Sequence, residues 1–302
     1  MAERQKLHLP RPSTMVPPLT PFTADGRVDA AGLARMVDYV VEDCQAGLVV
    51  AAGVEAQEYQ YLSLEDRKDL VRRTIDLVAG RRPVAVGISH PSMKQVLALA
   101  DFAQECGAQA LQLLAPMKPT GGVARLAELE RYFRAVLDHS PLPLILYLNA
   151  GPGADLSIKD TVELSKLEGI DFIKESSRDL ARVSRLMVEI DHAGHAGYFT
   201  TMQMQLASLM LGGPGITLPP PAARIAHKIN VAFAAGDLAE AARLQKQFAL
   251  FPSRWMEWGL AATMKAALRE LGTDLGDPFP PYEPVPPAAL AALVAQIRSM
   301  DF

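Results

Sequence analysis

The chain has 302 residues, of which 49% are hydrophobic and 21% charged, with a formal net charge of -4. This is ample apolar material for one large globular domain or two modest ones. The mildly acidic, interspersed charges leave no footprint for nucleic acid or an anionic membrane surface. Only two cysteines occur, Cys44 and Cys106; they form no zinc-type spacing and read as buried reduced thiols. No apolar run has the length of a signal peptide or a bilayer span, so a cytoplasmic protein with no membrane partner is expected.

Taken in order, residues 15–22 read as a proline-rich first strand, Asp25-Gly26 turns the chain, and Asp29 opens an amphipathic helix to about Cys44. Residues 47–52 are a continuous apolar run, the pattern of a strand buried on both faces. A polar loop over 53–62 leads to Ser63-Leu64-Glu65-Asp66, a helix start, with the helix running to about Ala79. The alternation then repeats as strand 83–87 and helix 92–107, strand 110–114 and helix 126–139, and strand 142–147 and helix 157–167. Strand 170–173 delivers Lys174 at its carboxyl end, and its helix covers 179–190. A weak strand at 197–199 precedes a helix over 202–211, and strand 215–218 precedes a helix over 221–234.

Eight strand–helix units in about the first 235 residues imply parallel strands with right-handed crossovers, closed as a (β/α)8 barrel. No G-x-G-x-x-G follows the first strand, which removes support for an open dinucleotide-binding sheet. Residues 236–302 read as a C-terminal appendage of three helices over 237–250, 253–271 and 287–300.

In such barrels the chemistry gathers at the carboxyl ends of the strands. That rule collects the loop over 53–61, Ser89 and His90, the loop over 115–122, Tyr147, Lys174 and Thr217. Strand alternation puts Phe172 and Lys174 on one face and Ile173 and Glu175 on the other. A neutral lysine amine is a nucleophile that forms a Schiff base with a carbonyl substrate. A tyrosine ending the neighbouring strand is placed to move protons for it.

The segments ending in Tyr147 and running Phe172-Ile173-Lys174-Glu175-Ser176-Ser177-Arg178-Asp179 are similar to the tyrosine-strand and I-K-E-A-S-G-D segments of the dihydrodipicolinate synthase / N-acetylneuraminate lyase family. The opening Val16-Pro17-Pro18-Leu19-Thr20-Pro21-Phe22 and the stretch Glu58-Tyr59-Gln60-Tyr61-Leu62-Ser63 before Glu65-Asp66-Arg67-Lys68 also resemble it, as does the helical tail. The resemblance implies a Schiff-base lysine at Lys174, a phenolic proton relay at Tyr147, and pyruvate or another 2-oxo acid as substrate, with an aldehyde as second partner. It further implies a homotetramer or homodimer and requires neither a metal nor an organic cofactor.

The departures concern specificity. Where the family commonly reads G-T-T-G-E, this chain has Val54-Glu55-Ala56-Gln57-Glu58, without the two hydroxyls. Backbone N–H groups near Ala56 and Gln57 can still bind a carboxylate, and Glu55 is a candidate acid/base in the threonines' place. No tyrosine occurs in Leu114-Ala115-Pro116-Met117-Lys118-Pro119, and no arginine in Asn149-Ala150-Gly151-Pro152-Gly153-Ala154-Asp155. The missing arginine removes a bidentate partner for a second carboxylate, which argues against dihydrodipicolinate synthesis itself. His90, Arg178 and Thr217 complete the candidate substrate contacts. A barrel that binds a 2-oxo acid without turning it over, as a sensor or assembly partner, is the competing reading.

Overall fold

The computed structural model describes residues 4–56, 58–116, 122, 124–149 and 156–302. Strands and helices alternate as β1 (Ser13–Val16), α1 (Ala30–Asp38), β2 (Leu48–Ala51), α2 (Leu64–Val78), β3 (Val84–Gly87), α3 (Met93–Glu105), β4 (Ala110–Leu114) and α4 (Leu126–His139). They continue as β5 (Leu144–Leu148), α5 (Ile158–Ser165), β6 (Ile170–Glu175), α6 (Leu180–Leu186), β7 (Gly197–Thr201), α7 (Gln205–Met210), β8 (Gly215–Thr217) and α8 (Pro220–Ala234). The strands are parallel and close into a barrel in sequence order, the (β/α)8 architecture that the alternation implies. The C-terminal helical part follows as α9 (Leu238–Gln245), α10 (Leu260–Glu270) and α11 (Pro287–Arg298).

Two compact units are distinguished by their internal contacts. One comprises the amino-terminal residues through Ser13 with Pro83–Thr217; the other comprises Thr14–Arg82 with Leu218–Phe302. In the first, β4 and β5 pair with Leu114 opposite Tyr147, β5 and β6 with Tyr147 opposite Lys174, and β6 and β7 with Lys174 opposite Phe199. Because β8 begins where Gly215 passes Ser13, a Cβ at Gly215 would stand 1.8 Å from the Ser13 carbonyl oxygen, and only glycine fits. In the second unit β1 pairs with β2, matching Met15 to Leu48 and Val16 to Val49. There Tyr61 stacks on Phe279 with ring centroids 5.0 Å apart.

Helix starts follow their caps. Asp29, Ser63, Ser157, Asp179 and Asp237 each accept from a backbone N–H of the first turn of the helix they precede. Paired prolines open α8, where a missing N–H costs nothing.

Several expected elements differ in extent or kind. The first strand stops at Val16, since Pro17 and Pro18 carry no N–H for the ladder. The expected helix over 253–271 is broken: Ser253–Trp258 is a 3-10 turn, and Gly259 at φ 82° redirects the chain before α10. The weak strand at 197–199 is longer than expected and runs through Thr201. Cys44 is fully buried, and burial pushes its thiol up; Cys106 is half-buried, and neither forms a disulfide. Among the described residues no helix is long and apolar enough to cross a membrane.

Candidate active site

Lys174 is the penultimate residue of β6 and Tyr147 the penultimate residue of β5, so strand register alone brings them abreast at the carboxyl rim. Both are buried, with 4% of each residue exposed. Lys174 Nζ donates to Tyr147 Oη at 2.7 Å and sits 3.9 Å from the centroid of the same ring. The amine is therefore held against both the phenol oxygen and the π-face. A second donation runs from Nζ to Ser176 Oγ, also at 2.7 Å.

The opposite face of β6 fixes this geometry. Glu175, buried, accepts from Arg182 Nε at 3.0 Å, from Tyr198 Oη at 2.7 Å and from the Ser177 N–H at 3.2 Å. Burial first, then the Glu175 carboxylate beside it, pushes the Tyr198 phenol far above its ordinary value. It stays a donor to Glu175. Asp179 caps α6 by accepting from the N–H groups of Ala181 and Arg182. The turn that carries Ser176 is thus tied to strand, helix and neighbouring strand at once.

Of the other residues expected at the site, Thr217 is buried at the end of β8. It lies opposite Thr201, which is two residues beyond Phe199, itself opposite Lys174. Residues paired abreast in parallel strands share a face, so Thr217 faces the same side of the sheet as Lys174. Its Oγ1 is buried without a hydrogen-bond partner among the described residues. His90 is exposed just past β3, and its Nδ1 accepts from the Ser92 N–H at 2.9 Å, a local loop contact. Arg178 is exposed and makes no ion pair among the described residues. Glu55 and Ala56 lie half-buried in the turn after β2, in the second unit, and Gln57 falls outside the described residues.

Ser176 is not among the residues expected at the site from the sequence. The signal was available: Ser176 stands two residues after Lys174, and side chains two apart in an extended chain share a face. The Glu175–Arg182–Tyr198 cluster carried no such local signal, nor did the buried pair of Glu58 and Lys265 in the second unit, 2.9 Å apart.

A cavity of about 270 Å³ opens at the amino ends of β6 and β7, lined by Phe172, Phe199, Gly197, Asp191, Arg11 and Pro214 among others. Lys174 does not line it. In these barrels that end serves stability, while the carboxyl end carries the chemistry.

The closed barrel and its helical tail, with a family match across the chain, are those of a class I aldolase-type lyase. The chain belongs to the dihydrodipicolinate synthetase family, whose model matches residues 12–300. A 4-hydroxy-tetrahydrodipicolinate synthase from Polynucleobacter asymbioticus is 29% identical over 262 residues, covering 84% of this chain and 83% of that one. Among solved structures, a dihydrodipicolinate synthase from Bacillus anthracis matches with a TM-score of 0.87 at 22% identity, covering 98% of this chain and 100% of that chain. A prophage protein of the same family from E. coli K12, solved in complex with pyruvate, matches at 0.85 and 24% identity, covering 95% of this chain and 98% of that chain.

Proposed function

We propose that the chain is a Schiff-base lyase acting on pyruvate or another 2-oxo acid, by aldol cleavage or condensation or by dehydration. The observation that supports this is the buried Lys174 Nζ held 2.7 Å from Tyr147 Oη at the barrel's carboxyl rim. Lys174 would attack the ketone carbon and, with loss of water, give a protonated imine. The imine draws electrons from the adjacent carbon, so a proton or a C–C bond there breaks to leave an enamine; in a dehydration the enamine's electron pair then expels a hydroxyl from the next carbon as water and restores the imine. Tyr147 moves the protons of these steps. The electron sink is the imine itself, so the chemistry calls for no metal or organic cofactor. Glu55 is assigned as a second acid/base from its place in the chain, and the N–H groups near Ala56 and Gln57 as carboxylate ligands. His90, Thr217 and Arg178 remain candidates for the distal part of the substrate.

The pyruvate bound to the E. coli relative supports a 2-oxo acid here. The absence of arginine from residues 149–155 and of tyrosine from residues 114–119 supports a second substrate other than the one used by dihydrodipicolinate synthases, despite the names of the relatives. A homodimer or homotetramer is proposed from the family likeness, with light scattering as its check.

Borohydride added with pyruvate should leave a stable mass adduct on Lys174, and Lys174→Ala should abolish it. Failure of a panel of 2-oxo acids to give any adduct would remove the Schiff-base assignment. An adduct without turnover of aldehydes or 2-keto-3-deoxy acids would instead favour a non-catalytic 2-oxo acid binder. That second reading is motivated by Val54-Glu55-Ala56-Gln57-Glu58 in place of the threonine pair and by the missing tyrosine in residues 114–119.

A further inference from the structure

Lys174 Nζ has two hydroxyl partners at the same distance, Tyr147 Oη and Ser176 Oγ, both at 2.7 Å. One hydroxyl is enough to hold a lysine. Two on one amine invite a division of labour. We propose that Ser176 is a catalytic residue of imine formation, carrying the proton that must pass from the lysine nitrogen to the substrate oxygen; this rests on the Schiff-base reading of Lys174.

The need for such a carrier is chemical. When the nitrogen lone pair adds to the ketone carbon, the C–N bond forms and the carbonyl π pair moves onto oxygen. The product is a zwitterion, with a positive nitrogen bearing two protons and a negative oxygen on the same carbon. Direct transfer between them passes through a strained four-membered ring. A hydroxyl placed beside the nitrogen opens that ring to six members: it takes the N–H proton and gives its own to the oxygen. Ser176 ends the step unchanged, and the neutral carbinolamine results. In the following step the nitrogen lone pair forms the C=N bond as the C–O bond breaks. The departing oxygen takes the Tyr147 phenolic proton and leaves as water, giving the protonated imine and a tyrosinate. All atoms and charges are then accounted for, with one hydroxyl serving each transfer.

Geometry favours Ser176 for the first transfer. Ser176 follows Glu175 at the strand's end, and the Glu175 carboxylate accepts from the Ser177 N–H and from Arg182. Those two contacts hold the backbone on which the Ser176 side chain stands. Ser176 is half-buried, beside an amine that is itself buried. A carrier pre-placed within hydrogen-bond reach of the reacting nitrogen spends no time recruiting a water.

The test is the time course of borohydride trapping with pyruvate, quenched at intervals and read by intact mass, on the full chain and its Ser176→Ala, Ser176→Thr and Lys174→Ala variants. The expected result is at least tenfold slower labelling in Ser176→Ala with the same final single adduct. Ser176→Thr, which restores the hydroxyl, should label within about threefold of the parent chain. Equal rates in the parent chain and Ser176→Ala would overturn the proposal while leaving the Schiff base standing. So would slow labelling in both Ser176 variants, which would make the position one of packing. An unlabelled parent chain, or a label that persists in Lys174→Ala, would instead take away the lysine assignment, and Ser176's role with it. Unchanged thermal unfolding of the Ser176 variants shows that the comparison is between folded chains.

Discussion

At the scale of single residues, the arrangement around Lys174 lets the proposed proton transfer be tested apart from the packing of the ring. The Tyr147 ring lies 3.9 Å from Nζ and its oxygen 2.7 Å away, so one side chain supplies both a face and a hydroxyl. Removing only the hydroxyl tests the second role without disturbing the first. Tyr147→Phe keeps the ring in a buried slot and leaves Ser176 bonded to the amine. Turnover of a 2-oxo acid substrate should fall by about a hundredfold to ten-thousandfold, the usual contribution of a positioned acid/base. The borohydride adduct on Lys174 should still form, more slowly. Steady-state kinetics alongside trapping checks this. A variant that traps and turns over like the parent chain would remove the phenol from the mechanism.

At the scale of elements, β6 and α6 with the turn between them form a two-faced device. The barrel-facing side offers Lys174 and Ser176, and the other side anchors Glu175 to Arg182 and Tyr198. Tyr198 carries a measurable consequence, because burial and the Glu175 carboxylate raise its phenol above the ordinary value of 10.0. The unfolded chain ionises that phenol near its ordinary value while the folded chain keeps it neutral. The stability it contributes is therefore fully present below about pH 10 and declines above it, at up to about 1.4 kcal/mol per pH unit. Urea unfolding at pH 9 to 11 should show a shallower alkaline loss in Tyr198→Phe than in the parent chain; coincident slopes would mean that the fold does not hold this proton. Much of this element was legible beforehand: the apolar run at 170–173, the lysine after it and the capping Asp179 are local patterns with local causes. Parallel strands buried on both faces announce themselves the same way in Leu48–Ala51 and Leu144–Leu148. Contacts between residues far apart in the chain are not written in any local period. Arg182 and Tyr198 therefore gave no hint of meeting at Glu175, and Gly259 broke a helix whose apolar spacing continued straight through it.

At the scale of the whole molecule, a barrel has to secure the loops that leave its strands, and in the second unit one such tie is a buried charge pair. Glu58, in the 3-10 turn Glu58–Tyr61 after β2, lies 2.9 Å from Lys265 of α10, with both side chains 2% exposed. Glu58 Oε2 also accepts from the Thr20 N–H at 2.8 Å, and Lys265 donates to the Asp277 carbonyl at 3.2 Å with its Nζ 4.7 Å from the Phe22 ring centroid. The pair thus joins the segment after β1, the loop after β2 and a C-terminal helix, all within the one compact unit. Taking two charges out of water is costly, and their attraction roughly offsets that cost only while both are present. Removing one partner should therefore be worse than removing both. Lys265→Met leaves a carboxylate buried without its cation and should cost about 3–5 kcal/mol. Combining it with Glu58→Gln neutralises the stranded charge and keeps an acceptor for the Thr20 N–H. The double variant should then be more stable than Lys265→Met alone, with a coupling of about 1–3 kcal/mol between the sites. Urea midpoints of the parent chain, the two single variants and the double variant measure that coupling directly. Losses that simply add would mean that Glu58 and Lys265 are buried independently, and that the tie between loop and helix rests on the packing around them.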